Sequence, residues 1–281
     1  MPQKIIGYHT KSKDSTAVET DQLILQISGS EVACMVKSGI TKLVKEFELF
    51  QMDADNSNWS DTFFQLRISS DILNRSFRET HCYYQFEEAI MIPQEKFSIS
   101  AAGDYLALVY GESDLHDIKY DTIPAGEGMV NAYRLKKMIH EVVGKQFILY
   151  HPHHIYSSIL NDLLTKELPD GFFVKIQCYS KHIIVAVMKD RKLQIIQTFL
   201  YQVPEDILYH VMNLRQQLTF NDTESQLELS GMLDLNAPLF QQLSGLFSIT
   251  TIENIDPLTS KAFTGKDFPP HYFTPFYNLT L

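Results

Sequence analysis

Two short apolar runs near the start of the chain are separated by turn-forming residues. The runs are Leu23–Ile27 and Val32–Val36, and between them lie Ser28, Gly29, Ser30 and Glu31. Short apolar runs around Gly and Ser are typical of a β-hairpin. Residues 43–50 predict a third strand of the same antiparallel meander, whereas the polar residues that open the chain predict no element.

A helical period follows the meander. Side chains with a spacing of three or four are Phe63, Leu66, Ser70, Leu73 and Phe77. This period predicts a helix, and the polar residues 51–60 before it include Asn, Ser and Asp, which end strands and cap helices. Residues 81–92 predict two short strands around 85–88, and residues 101–110 fit either a helix or a strand.

The order of the predicted elements changes after residues 124–128, which are rich in Pro and Gly and predict a loop. Strands are predicted at 129–133 and 146–150, and helices at 134–143 and 155–167. Strands that alternate with helices favour parallel pairing through right-handed crossovers.

The best candidate hinge is Leu168-Pro169-Asp170-Gly171, because Pro disfavours helix in the residue before it and Gly frees the backbone. The order of elements then begins again, with strands at 172–178, 183–188 and 193–199, a helix at 204–218, a strand at 226–229, a helix at 238–246 and a strand at 248–252. We therefore predict an α/β protein with some α+β elements, made of two domains, residues 1–168 and 169–281. The first domain contains an insertion within residues 51–128.

The composition of the chain argues against some classes of function. The chain has 281 residues with 24 Lys and Arg against 34 Asp and Glu, a net charge of −10, which argues against nucleic-acid binding. Its longest apolar run, Ile183–Met188, is far shorter than the roughly 20 residues of a membrane span. Because the start of the chain also lacks a signal-peptide pattern, we expect a cytoplasmic protein. Cys34, Cys82 and Cys178 have no disulfide or zinc spacing and are expected to be buried free thiols.

Three other groups of residues are weaker candidates for a functional role. The sequence His151-Pro152-His153-His154 has no further ligand at a suitable spacing, so we predict no metal site. The acidic run at 112–121 lacks the spacing of a calcium loop and predicts a solvated loop. An aromatic tail, whose members are Phe263, Phe268, Tyr272, Phe273, Phe276 and Tyr277, is too apolar for a disordered end. It is expected to pack on the second half of the chain, with docking on a partner as the alternative.

Four features carry a resemblance to a known group of proteins: the hairpin Leu23–Val36, the segment Phe172–Phe199, the tripeptide Leu229-Ser230-Gly231 and the tail residues 269–273. Together they resemble a Bacteroidetes family of unknown function that is associated with an actin-like ATPase (ribonuclease H-like) fold. More distantly, the chain resembles the actin-like scaffold of type IV pilus assembly. The resemblance implies a duplicated βββαβαβα unit, with a cleft between two lobes.

Within that superfamily the two first hairpins hold phosphate, and a Gly pair after a later strand holds adenosine. The resemblance therefore implies, for ATP and magnesium, a cofactor-binding set consisting of Ser28, Gly29, Ser30, Ser180, Ser230 and Gly231. Successive backbone N–H groups at a Gly-containing tip form an anion nest. The same residues are also ordinary turn formers.

This sequence departs from the active pattern at both hairpins. The first tip has no carboxylate at the Asp position, since Glu31 lies beyond the Gly, and the second tip has the bulky Tyr179 with neither Asp nor Gly. Divalent metals need hard oxygen ligands, and a triphosphate needs its charge neutralised. We therefore predict no catalytic residue, no bound metal and no resident cofactor.

Three functions remain open from the sequence. The leading one is a non-catalytic, actin-fold scaffold that binds a protein partner, with a homodimer as one possibility. The second is an ATP-binding protein or weak ATPase that uses the cleft between the lobes. The third is a small-molecule sensor.

Overall fold

The computed structural model describes residues 2–9, 20–52, 58–125, 128–220, 225–255 and 268–280. The chain forms two compact units. The first contains residues 1–162 and 278–281, and the second contains residues 163–277.

The strands of the first unit are, in chain order, β1 (Gln3–His9), β2 (Gln22–Ser28), β3 (Glu31–Lys37), β4 (Val44–Gln51), β5 (Glu79–Gln85), β6 (Ala89–Pro93), β7 (His116–Ile123), β8 (Met129–Lys136) and β9 (Tyr150–His154). Its helices are α1 (Trp59–Ser69), α2 (Ala102–Tyr110) and α3 (Lys137–Gly144), and α4 (Ile155–Thr165) runs across the boundary of the two units. Six strands form one sheet in the order β1-β4-β3-β2-β5-β9, and three form a second in the order β6-β8-β7.

The predicted hairpin and meander are present as β2, β3 and β4, which pair antiparallel. The parallel pairs β2–β5 and β5–β9 also match the predicted crossovers. The polar start of the chain, for which no element is predicted, nevertheless contains a strand. This strand, β1, pairs antiparallel with the edge of β4. Among residues 3–8, whose burial the structure describes, only Ile6 is buried. Pairing with a distant strand therefore stabilises β1, and no local period marks it.

Helix α1 begins as predicted, with the Asn58 side chain accepting the N–H groups of Ser60 and Asp61 at 3.1 and 3.3 Å. The predicted continuation to Phe77 is wrong. The hydroxyl of Ser70 accepts the N–H groups of residues 72 and 73, and this turn ends the helix. The later apolar residues still reach the core from a loop.

Three further elements add to the prediction or differ from it. Residues 101–110, which fitted two states, form helix α2. Strand β8 extends to Lys136 and pairs antiparallel with β6 and β7, not parallel, and α3 starts after it. The strand expected at 146–150 starts only at Tyr150 and runs to His154. A polar segment with a proline is tolerated there because β9 is an edge strand of the sheet.

The second unit repeats the order of the first. Its strands are β10 (Phe172–Cys178), β11 (His182–Lys189), β12 (Lys192–Leu200), β13 (Ser225–Gly231) and β14 (Ile249–Ile252), and its helices are α5 (Pro204–Leu218), α6 (Pro238–Ser244) and α7 (Thr274–Tyr277). The sheet order is β12-β11-β10-β13-β14. In chain order these strands are third, second, first, fourth and fifth. The order β4-β3-β2-β5-β9 of the first unit is the same when β1 and the separate sheet β6-β8-β7 are left out of the count.

The six-stranded and the five-stranded sheet each have an apolar core. In the first unit, residues of β2, β3, β5, α1 and α3 form one buried cluster, and in the second unit residues of β10, β11, β13, α5 and α6 form another. The central strand β10 is buried along its whole length, as expected for a strand covered on both faces. Among the described residues, no helix has both the length and the apolar character needed to cross a membrane.

Candidate functional site

The first candidate loop is the turn between β2 and β3. The hydroxyl of Ser28 accepts the backbone N–H groups of Ser30 at 3.2 Å and Glu31 at 3.0 Å, and donates to the carbonyl of Glu31 at 3.1 Å. An anion nest needs N–H groups that point outward without a partner. Here a buried side chain from the turn itself satisfies two of these groups.

Gly29 lies at the exposed tip of this turn. A Cβ at this position would meet nothing within 4 Å, and Gly29 is not among the residues with a positive φ. Neither close packing nor backbone geometry therefore requires Gly here. The open space above Gly29 leaves room for a ligand, but a plain turn would show the same space.

Uncharged side chains occupy the strand ends beside the turn. The Gln26 amide donates to the Gln85 carbonyl oxygen at 2.5 Å, and both side chains are buried. This bond joins β2 and β5 beside the first candidate turn. Glu31, the displaced carboxylate of the sequence, is itself buried at the start of β3.

The second candidate loop, between β10 and β11, is filled by its own aromatic residue. The backbone N–H of Tyr179 donates to the His182 carbonyl at 2.9 Å and closes the turn that contains Ser180. The Tyr179 side chain has no exposed surface. Its ring stacks on His182, with centroids 4.7 Å apart, and meets the edge of Phe276 at 5.6 Å. Its hydroxyl donates to Gln177 at 3.2 Å.

Phe276 comes from the aromatic tail, which packs on the second unit as expected. The imidazole of His271 bonds the Leu233 carbonyl at 2.9 Å, and the Thr274 hydroxyl donates to the Glu253 carbonyl at 3.0 Å. Phe273 and Phe276 are almost completely buried. Of the tail residues named from the sequence, Phe263 lies outside the described residues. The final residues belong to the first unit, where the Lys37 ammonium donates to the Thr280 carbonyl.

Ser230 and Gly231 end strand β13 beside this loop. Gly231 has φ +94°, and a Cβ there would lie 2.0 Å from the carbonyl oxygen of Cys178. The next N–H, of Met232, donates to the same carbonyl at 2.8 Å. Only glycine allows this approach of two backbones, so strand packing accounts for Gly231 without any nucleotide. Within the described residues, the buried Ser230 hydroxyl has no hydrogen-bond partner.

The structure thus divides the six candidate residues into two groups, one in each unit. Ser28, Gly29 and Ser30 form the first turn. Ser180 lies close in the fold to Ser230 and Gly231, because Cys178 pairs with Gly231 in the parallel ladder of β10 and β13.

A buried ion network in the second unit was not anticipated. The Lys175 ammonium lies 2.6 Å from Glu228 and 2.7 Å from Glu253, and Lys166 lies 2.9 Å from Glu253. Burial alone would raise the pKa of Glu253, but the two ammonium groups lower it to about 2. A lysine within the otherwise apolar run Phe172–Ile176 was the available sequence signal. Paired charges of this kind hold the sheet together and leave no free base.

A histidine stack lies on β5 and β9. His81 Nδ1 is 3.2 Å from His153 Nε2, and one oxygen of Glu79 lies 3.2 Å from His81 Nε2 and 3.3 Å from His151 Nε2. Burial and the neighbouring imidazoles lower the pKa of His153 to about 4. Across the described part of the chain, no group of three His, Cys, Asp or Glu side chains has the arrangement of a metal site. The cysteines Cys34, Cys82 and Cys178 are free and buried, as predicted.

A duplicated unit with this strand order, in which each copy begins with a hairpin, defines the actin-like ATPase fold. A Bacteroides thetaiotaomicron protein with an actin-like ATPase fold and unknown function has a TM-score of 0.74 and 17% identity to this chain, covering 90% of this chain and 98% of that one. PilM in the PilM–PilN type IV pilus biogenesis complex has a TM-score of 0.56 at 12% identity, covering 94% and 98%. The ethanolamine utilization protein EutJ from Carboxydothermus hydrogenoformans has a TM-score of 0.50 at 8% identity, covering 94% and 90%.

The chain belongs to the family described as "Protein of unknown function (DUF3822)", which matches residues 10–249. No curated protein matches it significantly. At these identities the solved structures establish the fold, and their binding partners are properties of those proteins.

Proposed function

We propose that this chain is a non-catalytic, actin-fold scaffold that binds another protein in the cytoplasm and does not hydrolyse ATP. One observation carries the proposal: the Tyr179 ring, with no exposed surface, occupies the phosphate turn of the second unit and is held there by His182 and Phe276. Phosphate at that turn would have to displace three packed aromatic rings.

The chemistry of the other loop supports the same function. Ser28 satisfies N–H groups of its own turn, and the strand ends beside it carry the paired amides Gln26 and Gln85. Without a carboxylate at either tip, magnesium lacks its preferred ligands. In this proposal Ser28, Gly29, Ser30, Ser180, Ser230 and Gly231 are remnants of nucleotide loops, in lobes divided at residues 168 and 169.

Exposed apolar side chains support the protein-binding part. In the first unit, around helix α2 and strand β7, Leu108 is 87% exposed, Leu115 75%, Ile99 67% and Val109 59%. Exposed apolar groups concentrated in one region are typical of protein-binding surfaces. A fold shared with PilM, which is found in a complex with PilN, makes a scaffold role reasonable for this chain as well.

Calorimetry with ATP and magnesium tests the loss of nucleotide binding. We expect no binding heat with the wild-type chain and no phosphate release above a buffer blank. A micromolar dissociation constant would refute the proposal. Turnover that disappears in Gly29→Trp would instead establish an ATPase, because the substitution fills the open space above the first turn.

Co-purification from the native host tests partner binding. A partner that is retained by the wild-type chain should be lost from the double variant Leu108→Ser/Val109→Ser. The matched control is Tyr209→Ser/Met212→Ser, which also removes two exposed apolar groups, but from the second unit. Unchanged thermal unfolding in both variants would show that the fold is intact. Equal loss in both, or in neither, would contradict a partner site around α2.

A further inference from the structure

A cavity of about 120 Å³ lies in the first unit, away from the two candidate loops. The end of helix α1, the loop that follows it and the residues between α3 and β9 line this cavity. The lining combines the phenyl rings of Phe63, Phe77 and Phe147 with the guanidinium groups of Arg67 and Arg75. Since a cavity of roughly 150 Å³ is large enough to bind benzene, this one suits a ligand of about one ring.

The Arg75 guanidinium group has one edge without a partner. Its Nη1 lies 2.7 Å from the Glu46 carboxylate of β4, whereas within the described residues its buried Nε and Nη2 have no hydrogen-bond partner. Nε and Nη2 form a fork that donates two parallel hydrogen bonds to a carboxylate. Buried donors without an acceptor are rare and costly. Because Arg75 lines the cavity, a ligand there is suited to supply the acceptor.

A second positive charge lies at the same cavity. Arg67, in the last turn of α1, donates through Nη1 to the amide oxygen of Gln146 at 2.9 Å. The described residues that line the cavity include no Asp or Glu. Two guanidinium groups against the single carboxylate of Glu46 leave an excess of one positive charge, although the whole chain has a net charge of −10. The cavity therefore favours an anion.

The aromatic rings make part of the lining apolar. Phe63 and Phe147 meet edge to face with centroids 6.4 Å apart, and the Arg75 guanidinium carbon lies 5.6 Å from the centre of the Phe77 ring. Phe63 and Phe77 belong to the buried core of the first unit, which holds them in place. An inorganic anion would leave this apolar surface unused, whereas a carboxylate attached to an apolar body uses both kinds of group.

We propose that this cavity binds a small organic carboxylate whose apolar body is about the size of one ring. The carboxylate accepts from the fork of Arg75, with Arg67 as the second cation, and the body lies against the phenyl rings. Because Nε and Nη2 are shielded from solvent, binding draws the Arg75 side chain, which is 24% exposed, towards the cavity. This site lies within one unit and depends neither on the scaffold function nor on nucleotide.

NMR titration of the full chain with three compounds tests the class of ligand. Benzoate has a carboxylate on one ring, benzamide keeps the ring without the charge, and inorganic phosphate has the charge without the ring. We expect saturable binding of benzoate and at least about tenfold weaker binding of the other two, since a charged hydrogen-bond pair or a buried ring each contributes that much. A wild-type chain that does not bind benzoate saturably would overturn the proposal, and so would equal binding of benzamide or phosphate.

Substitutions locate the bound benzoate. Arg75→Lys keeps the positive charge and removes the fork, so benzoate should bind at least about tenfold more weakly. Ser76→Trp, at an exposed position of the lining, keeps both arginines and fills the cavity, so binding should be lost. The matched control Arg78→Gln removes an exposed charge from the same loop and should bind benzoate like the wild type.

Thermal unfolding separates loss of the site from loss of the fold. Benzoate should raise the melting temperature of the wild type and of Arg78→Gln, because a ligand that binds only the native state stabilises it. It should have no such effect on Ser76→Trp, which leaves the ion pair of Arg75 with Glu46 intact and therefore tests the site even if Arg75→Lys is unstable. Wild-type affinity in Ser76→Trp, or an equal loss of affinity in Arg78→Gln, would overturn the proposal.

Discussion

At the scale of single residues, the two glycines of the candidate loops have opposite roles. Gly231 has φ +94° and no space for a Cβ, whereas Gly29 has open space around it. The two positions look alike in the sequence, because each follows a serine in a candidate nucleotide loop. Only the contact between the backbones of β10 and β13 separates them, and a sequence does not show that contact.

Gly231→Ala should lower the free energy of unfolding by at least about 2 kcal/mol, because the methyl group overlaps the Cys178 carbonyl and the backbone is left-handed. Urea denaturation measures the loss. The matched control Gly29→Ala should change stability by no more than about 0.5 kcal/mol. Equal effects of the two substitutions would show that Gly231 is not held against β10.

His154 gives stability a dependence on pH. Its Nε2 donates to the Phe86 carbonyl at 2.9 Å, and its Nδ1 accepts the Tyr156 N–H at 3.2 Å. Burial lowers the pKa of His154 to about 4, against about 6.5 in the unfolded chain. Below pH 6.5 the unfolded state binds the extra proton, so stability is lost as the pH falls from 6.5 towards 4.

Urea denaturation at pH 7, 6 and 5 checks this dependence. His154 contributes at most about 1.4 kcal/mol per pH unit within the window. His154→Gln keeps a donor to Phe86 and removes the titration, so its stability should fall less steeply than that of the wild type over the same range. Because both chains share all other titrating groups, parallel pH profiles would show that His154 is not the source.

At the scale of elements, the sequence predicts the strands and helices whose own residues carry a regular apolar pattern. The hairpin of β2 and β3, the strands β10 and β11, and helix α5 all have apolar patterns that match their structures. Elements that depend on distant partners were missed or displaced. Strand β1 exists because β4 offers an edge, and β9 carries polar residues because it is itself an edge.

The candidate site shows the same limit. The sequence shows directly that neither hairpin tip has a carboxylate at the position expected from the resemblance, since Glu31 lies beyond the Gly and Tyr179 occupies the second tip. The filling of the second turn could not be predicted, because Phe276 lies 97 residues from Tyr179 and no pattern connects them. The density of aromatic residues in the tail predicts only that the tail packs on the protein and does not identify Tyr179 as its contact.

The tail helix α7 is therefore a structural part of the second unit. Phe276→Ala should lower the free energy of unfolding by about 3–5 kcal/mol, the usual cost of removing a buried phenyl group. Its side chain has no exposed surface and meets the Tyr179 ring edge-on, and helix α7 lies against β13. Chemical denaturation measures the change. The control is Leu108→Ala at an exposed position, which should change the free energy of unfolding by no more than about 0.5 kcal/mol. A loss below 1 kcal/mol would mean that the tail is not packed.

At the scale of the whole molecule, the net charge of −10 acts against folding. An excess of charges of one sign repels itself, and this repulsion destabilises the compact state. Salt screens the repulsion between exposed charges and has little effect on the buried apolar contacts of the two cores at moderate concentration.

Stability should therefore rise with salt. Urea denaturation at 20, 100 and 300 mM sodium chloride is expected to show a free energy of unfolding that increases as the Debye length shortens from roughly 20 to 6 Å. The variant Gln241→Lys/Gln242→Lys adds two positive charges at exposed positions and reduces the net charge from −10 to −8, so its stability should gain less from salt than that of the wild type. A free energy of unfolding that falls with salt would mean that attractive ion pairs outweigh the repulsion.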